Sequence, residues 1–552
     1  MTMPVSDAPA APLGRFQDVP DLLRGLGRLP RARPALTFYK GRSREGHQGY
    51  GELSDAVDRF TRRLHDDLGV RRGDCVAVLS PNRLDVPALV LATMRLGAAV
   101  VPLNPTTPPS DWDYILAHSA SRLIFGTQEL LARLGRRPER VCAFEDETAL
   151  AGGAGAVPRA EPGWLAEPGS LSGTMAIVLY TSGTTGNPKG VALSQASLLA
   201  NAWSMAVNFR FADETQLAVL PLYHAHALGF GLMTTLATGG HLVFTERFDP
   251  FSWGEILRSE AVTLTSVVPT LLPPLLQVGV RRERIPALRA ILVSSAPLSA
   301  VLARTFEAKT SIPLVQGWGL SEYTNFACCL SPDLRDDERR RLLYGGALTC
   351  IGSPLEGTEV RVVGSDGAPV AAEVRGELCV RGHSTMLSYF HDADATAAAL
   401  TADGWLRTGD EGFFEVSAAS DGPDQRRSFF ITGRIKETII RDGDKFSPLA
   451  IERQLIGELP ELEGRLVVLG FPHDLHGEEI GVYIEDEELG GDTRARLTKV
   501  VNDMPLDARP KVILHGATPI PRTHTGKIQR RKLHPLFATF GACRGALRVE
   551  RV

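Results

Sequence analysis

Short runs of aliphatic and β-branched residues alternate with helical patterns over most of the chain. CVAVLSPN (75–82) predicts a strand, DVPALVLATMRLGA (85–98) a helix and AVVPLN (99–104) the next strand. The rhythm returns at MAIVLYTSG, LTSVVPT, LRAILVSSAP and PLVQGWG. Alternation of this kind predicts an α/β protein with parallel sheets covered by helices. In such folds, ligand sites gather in the loops beyond the strands. From about residue 357 the pattern changes. TEVRVVGSDGAPV, with a Ser-Asp-Gly turn between two apolar runs, precedes VRGELCVRG, WLRTGDEGFFEV and RSFFITGR. These predict antiparallel strands of a small β subdomain, with the polar stretch 417–428 as a long hairpin tip. After GRIKE (433–437) the pattern is mixed again. SPLAIERQLIGEL and DTRARLTKVVNDM predict helices, GRLVVLGF and PKVILHGAT strands. The expected organisation is a large domain over 1–432, a short charged boundary at 433–437 and a small α+β domain over 438–552.

Composition narrows the class. The 552 residues are 43% hydrophobic and 22% charged, ordinary for a globular protein with a sizeable core. A net charge of −4 gives no electrostatic footprint for nucleic acid or a membrane surface. The longest apolar stretch, VPALVLATMRLGAAVVPL, is broken by Arg95, Gly97 and Pro102, so no membrane span is expected. MTMPVSDAPAAPLGRF lacks the basic start and apolar core of a secretory leader. The seven cysteines are scattered without a CxxC pair, which predicts free thiols in a reducing, cytoplasmic setting. Of the 60 basic residues only nine are lysines, so a lysine inside a motif is noteworthy.

One such motif is YTSGTTGNPKGV (180–191), directly after a strand-like run. Glycines admit close approach of the backbone to an anion, and hydroxyls and N–H groups donate to phosphate oxygens. The loop lacks the Gly-Lys-Ser/Thr ending of the common phosphate loop, because Lys189 lies between Pro188 and Gly190. A lone Gly-Thr cluster is more often a surface turn; ten ordered positions are not.

YTSGTTGNPKG, QGWGLSE (316–322), WLRTGD (405–410), GRIKE (433–437) and PRTHTGKIQR (521–530) stand in this order. The chain thereby resembles the acyl-adenylate-forming superfamily: acyl-CoA synthetases, aryl-CoA ligases, luciferases and adenylation domains of peptide synthetases. The resemblance covers residues from about 35 to 535. It implies a large AMP-binding domain and a small C-terminal domain that turns on a hinge at 433–437. The implied reaction is attack of a carboxylate on the α-phosphorus of ATP, giving acyl-AMP and pyrophosphate. The substrate is the nucleophile, so the protein contributes positioning and charge.

The resemblance also implies roles for single residues. Thr181, Ser182, Gly183, Thr184, Thr185, Gly186 and Lys189 would wrap the β- and γ-phosphates. Thr181 and Glu322 would position Mg²⁺, and Ser321 would bond the α-phosphate. Gln316, Gly317 and Trp318, where the family usually has tyrosine, would border adenine with Ser294, Ser295 and Ala296. Asp410 would hold the ribose hydroxyls, followed by Arg434 and the hinge residue Lys436. Lys527 would bridge the acyl carboxylate and α-phosphate, its charge offsetting that of the pentacoordinate phosphorus. The alternative for Lys527 is a solvated basic tail beside Arg530, Arg531 and Lys532.

PLYHAHALGFG (221–231) matches the segment whose histidine, His224, flanks the acyl carboxylate. ALGFGLMTTLATGG carries no acid to pair an α-ammonium, which would then be buried at considerable cost. The expected substrate is therefore an apolar acyl or aryl acid and not an α-amino acid. Gly229, Phe230, Val268, Ser294, Gly319, Tyr323 and Asn325 are the expected pocket. The expected acceptor is CoA, with an acyl carrier protein or partner enzyme as the alternative. Arg441, Asp442 and Gly443 fall where the thiol tunnel is implied. Asp442 replaces a glycine there, and an acid beside a thiol would disfavour the thiolate. A luciferase-like oxygenase and a non-enzymatic nucleotide-binding relative are the competing classes.

Overall fold

The computed structural model describes residues 15–146, 164–181, 187–212, 214–346, 348–418, 425–523, 526–543 and 547–552. Three sheets organise them. In the largest, of 13 strands, six run parallel in the order Leu314–Trp318, Ala290–Val293, Leu264–Val267, Thr215–Ala218, His241–Thr245 and Pro34–Lys40. All but the last of these are buried along nearly their full length, as expected for strands covered on both faces. Beyond Leu314–Trp318 the sheet turns antiparallel through Cys328–Cys329, Cys350–Pro354 and Gln425–Arg434 to Leu406–Ala418. The β subdomain thus continues the large sheet.

A second sheet of seven strands contains Cys75–Leu79, Ala99–Leu103 and Met175–Thr181 in parallel. Lys189–Ser194 returns antiparallel to Met175–Thr181, with Thr181 opposite Lys189. The strand before the glycine-rich motif is thus followed by an antiparallel partner, not by the helix that follows the strand of a common phosphate loop. The short strand Ser388–Tyr389 adds to its outer side.

The third sheet, of six strands, contains Ile439–Arg441, Asp444–Phe446, Leu466–His473, Gly477–Glu485, Val512–Gly516 and Arg548–Arg551. Two apolar clusters of its own lie on it, one under the helices Pro448–Glu458 and Gly491–Asp503, the other under the turns Arg530–Phe540. The last strand of the large sheet ends at Arg434 and the first of this one begins at Ile439.

Two expectations are corrected. Strand pairing continues to Ala418 opposite Gln425, so the hairpin tip expected over 417–428 is shorter; 419–424 lie outside the described residues. The second run of TEVRVVGSDGAPV forms only the bridge Val363–Pro369, because proline has no N–H to offer a ladder. The cysteines are free, and six of the seven are buried. No helix among the described residues is long and apolar enough to cross a membrane.

Candidate active site

The carboxyl ends of three neighbouring parallel strands build one wall of a cleft. Leu264–Val267 runs into the turn Pro269–Leu271, Ala290–Val293 into Ser294–Ala296, and Leu314–Trp318 into the turn Ser321–Tyr323. Ser295 has φ +71°, a left-handed backbone that costs about 1 kcal/mol in a non-glycine residue. Gly319 is required by the crossing of the chain on itself: a Cβ there would lie 1.7 Å from the Asn325 carbonyl oxygen. At Gly317, a Cβ would press on the Phe326 ring at 2.6 Å. The orphaned, buried Oε1 of Gln316 on this wall suits the exocyclic amine of adenine.

Asp410 enters from the β subdomain, on a strand paired residue-for-residue with Arg434. Its two carboxylate oxygens take different partners. The Trp318 indole N–H donates to Oδ2 at 2.9 Å, and Arg434 Nε lies 3.1 Å from Oδ1. Asp410 is the main reason the pKa of Arg434 is raised. Trp318 thus does what a tyrosine in its place would do differently: it donates a fixed N–H to the acid.

Lys527 reaches the same cleft from the C-terminal domain. Its loop is a turn closed by Gly526 N–H to Thr523 O at 2.8 Å and by Lys527 N–H to Thr523 Oγ1 at 3.1 Å. Gly526 has φ +81°, and a Cβ on it would touch Thr270 at 3.4 Å and Ala296 at 3.9 Å, so the loop rests on the strand ends just described. Arg530 is no solvated tail. It donates to Val468 O at 2.9 Å and pairs with Glu437 at 2.8 Å and with both oxygens of Glu452 at 2.7 and 2.8 Å. Lys527 is itself exposed. The protein packed around it, and secondarily the Arg434 cation, lower its pKa against the pull of Asp410, Glu322 and Glu437. The proton is therefore lost at lower pH than from an ordinary lysine. Adenylation should fall on the alkaline side at lower pH than an ordinary lysine's titration would give, and a profile flat up to the ordinary lysine range at saturating ATP would contradict this environment.

Glu322 accepts from the Tyr389 hydroxyl at 2.8 Å, an interaction that, after burial, raises the tyrosine's pKa. Lys189 Nζ stands 5.0 Å over the Tyr389 ring and 3.8 Å from Asp392 Oδ2. Glu322, Tyr389, Lys189 and Thr181 thus gather at the neck of the glycine-rich hairpin. Glu322 and Thr181 offer the oxygen donors a hard cation such as Mg²⁺ takes. Ser182, Gly183, Thr184, Thr185 and Gly186 lie outside the described residues. Tyr389 was not foreseen, because SYF carries no signal apart from its contacts.

On the acyl side, His224 is half-buried with its ring 4.5 Å from that of Tyr223. A second histidine, His226, is deeper. Its Nδ1 lies 2.9 Å from Ser294 Oγ and 3.2 Å from Ser295 Oγ, and burial pushes its pKa down to about 3. Phe230 and Phe326 pack around it, and Val268 and Asn325 are buried nearby. Tyr323 is a correction. It is fully buried, and its hydroxyl donates to Thr358 Oγ1 at 3.0 Å and Arg381 O at 3.3 Å, which anchors the β subdomain.

Arg441, Asp442 and Gly443, expected at the thiol tunnel, lie in the third sheet. Asp442 and Gly443 join Ile439–Arg441 to Asp444–Phe446 as a two-residue hairpin turn with φ +53° and +90°. Asp-Gly is favoured in such a turn for its backbone alone. The Asp442 carboxylate lies 2.7 Å from His476 Nδ1, so it is not an unpaired acid awaiting a thiol. Arg441 is buried, 3.3 Å from Glu479 and bonded to the carbonyls of Asp507 and Arg509. Lys436 is exposed in the turn Ile435–Glu437.

The family described as AMP-binding enzyme matches residues 26–390, two-thirds of the chain and the whole wall of the cleft. The chain belongs to the AMP-binding enzyme family. Among its relatives is a sulfoacetate–CoA ligase of Cupriavidus necator, 32% identical over 480 residues, 85% of this chain and 89% of the relative. A feruloyl-CoA synthase of Amycolatopsis is 30% identical over 531 residues, 93% of this chain and 99% of the relative. In fold it is similar to ATP-bound MatB from Rhodopseudomonas palustris, with a TM-score of 0.78 at 24% identity over 95% of this chain and all of that one. This AMP-binding enzyme is an acid–thiol ligase: it activates a carboxylic acid with ATP as acyl-AMP, releasing pyrophosphate, and passes the acyl group to CoA.

Proposed function

We propose that this ligase activates a largely apolar acyl or aryl acid, not an α-amino acid, in the cleft between the 221–233 segment and the ends of the parallel strands. The observation that carries its adenylating role is the approach of Lys527, on a loop resting on Thr270 and Ala296, to Glu322 and to Arg434 and Asp410, themselves 3.1 Å apart. Asp410, with Trp318 and Arg434 behind it, takes the ribose hydroxyls; Gln316, Gly317 and Ala296 border adenine. Thr181, Lys189 and the residues 182–186 hold the outer phosphates, and Ser321 the α-phosphate. Mg²⁺, held by Glu322 and Thr181, would neutralise phosphate charge. Lys527 bridges the two reacting anions, which otherwise repel each other. Phe230 and Phe326 beside His226, with no acid in 221–233, support the acyl assignment. The turn at 435–437, with Lys436, serves as the hinge about which the domain over 438–552 gives way to the thiol.

The test is pyrophosphate release with ATP, Mg²⁺ and a panel of aliphatic, aryl and α-amino acids, run with and without CoA. Release should depend on the aliphatic or aryl acids, and thioester should appear when CoA is added. Release only with α-amino acids would refute the substrate assignment. Pyrophosphate without thioester would favour a carrier protein as acceptor.

A further inference from the structure

The Lys527 loop is braced by a guanidinium at its own base. Arg522 Nη1 donates to the Gly526 carbonyl, in the peptide that leads into Lys527, at 3.2 Å. Its Nη2 donates to Gly464 O at 2.9 Å. Along the loop, Arg522 and Ile528 form a β-bridge, and Thr523 N–H donates to Lys527 O at 2.8 Å. The brace thus ties Lys527 to the end of the turn Pro460–Leu462, where Glu463 precedes Gly464. Glu463 in turn touches the large domain: the Ser299 hydroxyl donates to its Oε2 at 2.6 Å. One connected path runs from Ser299 through Glu463, Gly464 and Arg522 to the backbone of Lys527.

Ser299 is well placed to give that hydrogen. Its Oγ caps the helix Ala300–Thr310, accepting from Leu302 N–H at 3.0 Å, which leaves its own proton for another acceptor. Glu463 brings a carboxylate to the positive end of the same helix. Burial raises the Glu463 pKa, and the Ser299 hydrogen bond is the chief effect favouring the ionised form against it. Ser299 stands three residues beyond Ala296, on the loop against which Gly526 rests. The small domain therefore meets one loop of the large domain at two points, the tip at Ala296 and the brace at Ser299. Two points fix an orientation where one leaves a pivot. On the proposed reading that Lys527 is the bridging cation and that the domain over 438–552 turns, we infer that Ser299, Glu463 and Arg522 are positioning residues for adenylation alone. They seat the Lys527 loop on the strand ends, and the bond between Ser299 and Glu463 parts when the domain turns for the thiol.

Measuring the two half-reactions separately tests this. With the acid of the panel above that releases pyrophosphate fastest, Ser299→Gly and Glu463→Ala should each slow single-turnover acyl-AMP formation by about tenfold. Glycine keeps most of the helix cap, so the fold is spared. Thioester formation from purified acyl-AMP and CoA should stay within about twofold of wild type, as should KM for ATP. Ser299→Thr keeps the hydroxyl and should restore adenylation, and the double variant should be no slower than either single one. Arg522→Met should slow adenylation in the same selective way. Unchanged adenylation, an equal fall in both half-reactions or additive losses in the double variant would overturn the inference. Hydrogen exchange reads the seat without turnover: Ser299→Gly, in the large domain, should speed exchange of the 526–529 amides in the small one. If Lys527→Ala adenylates at the wild-type rate while Ser299→Gly does not, the bridging role fails and the seat stands. If no acid releases pyrophosphate, exchange decides alone: faster exchange supports the seat and unchanged exchange overturns it.

Discussion

Lys527→Ala lowers acid-dependent pyrophosphate release by at least about a hundredfold while ATP binding changes by only a few fold. The asymmetry follows from where the residue comes from. On the proposed reading ATP is gripped by the large domain, through Asp410, Gln316 and the hairpin neck, none of which needs Lys527. The lysine arrives on a loop resting on Thr270 and Ala296, and its charge matters most where the carboxylate and the α-phosphate are forced together. Arginine at 527 should rescue poorly, because the guanidinium is larger than the ammonium and Arg434 already stands close by. The measurement is single-turnover adenylation beside nucleotide titration. A variant that adenylates at the wild-type rate shows that Lys527 is not the bridging cation; one that loses ATP binding equally shows that it holds ground-state nucleotide.

Asp410→Asn raises KM for ATP by about ten- to a hundredfold and also lowers thermal stability. The carboxylate accepts from the Trp318 indole on one oxygen and faces Arg434 with the other. An amide presents one acceptor and one donor, so whichever way it turns, an N–H meets either the indole N–H or the guanidinium. The buried donor left unsatisfied costs about 1–3 kcal/mol. The double variant Trp318→Phe/Asp410→Asn removes that conflict and should recover part of the stability without recovering nucleotide affinity. An Asp410→Asn enzyme with unchanged KM would separate Asp410 from the ribose.

The fold was legible where burial is two-sided. CVAVLSPN, LRAILVSSAP and PLVQGWG became strands because central parallel strands must be continuously apolar. Less visible was Gly477–Glu485, whose GEEIGVYIE begins with two acids; its pairing with Leu466–His473 fixes it, and pairing is not a local property. Arg441 and Asp442 were expected at a thiol tunnel from the resemblance alone; locally, Asp-Gly describes a hairpin turn and Arg441 an internal anchor, which a motif comparison does not record. Tyr323 was misplaced because a tyrosine beside a motif has two directions to point, and the sequence records neither. His226 stood in plain view in HAHAL; only its burial against Ser294 and Ser295 separates it from His224.

Arg530 has a mechanical meaning. One guanidinium ties the turn Ile435–Glu437, through Glu437, to the helix carrying Glu452 and to the strand carrying Val468. It stands three residues from Lys527, and Gln529 N–H holds the same loop to Pro521 O at 2.8 Å. Pivot and tip are thereby clamped to one rigid arm, like a crank with no backlash. On the proposed reading that the domain over 438–552 turns at this hinge, a rotation there would be delivered to the Lys527 ammonium with little slack, so that the hinge would set the timing of the chemistry as well as its geometry.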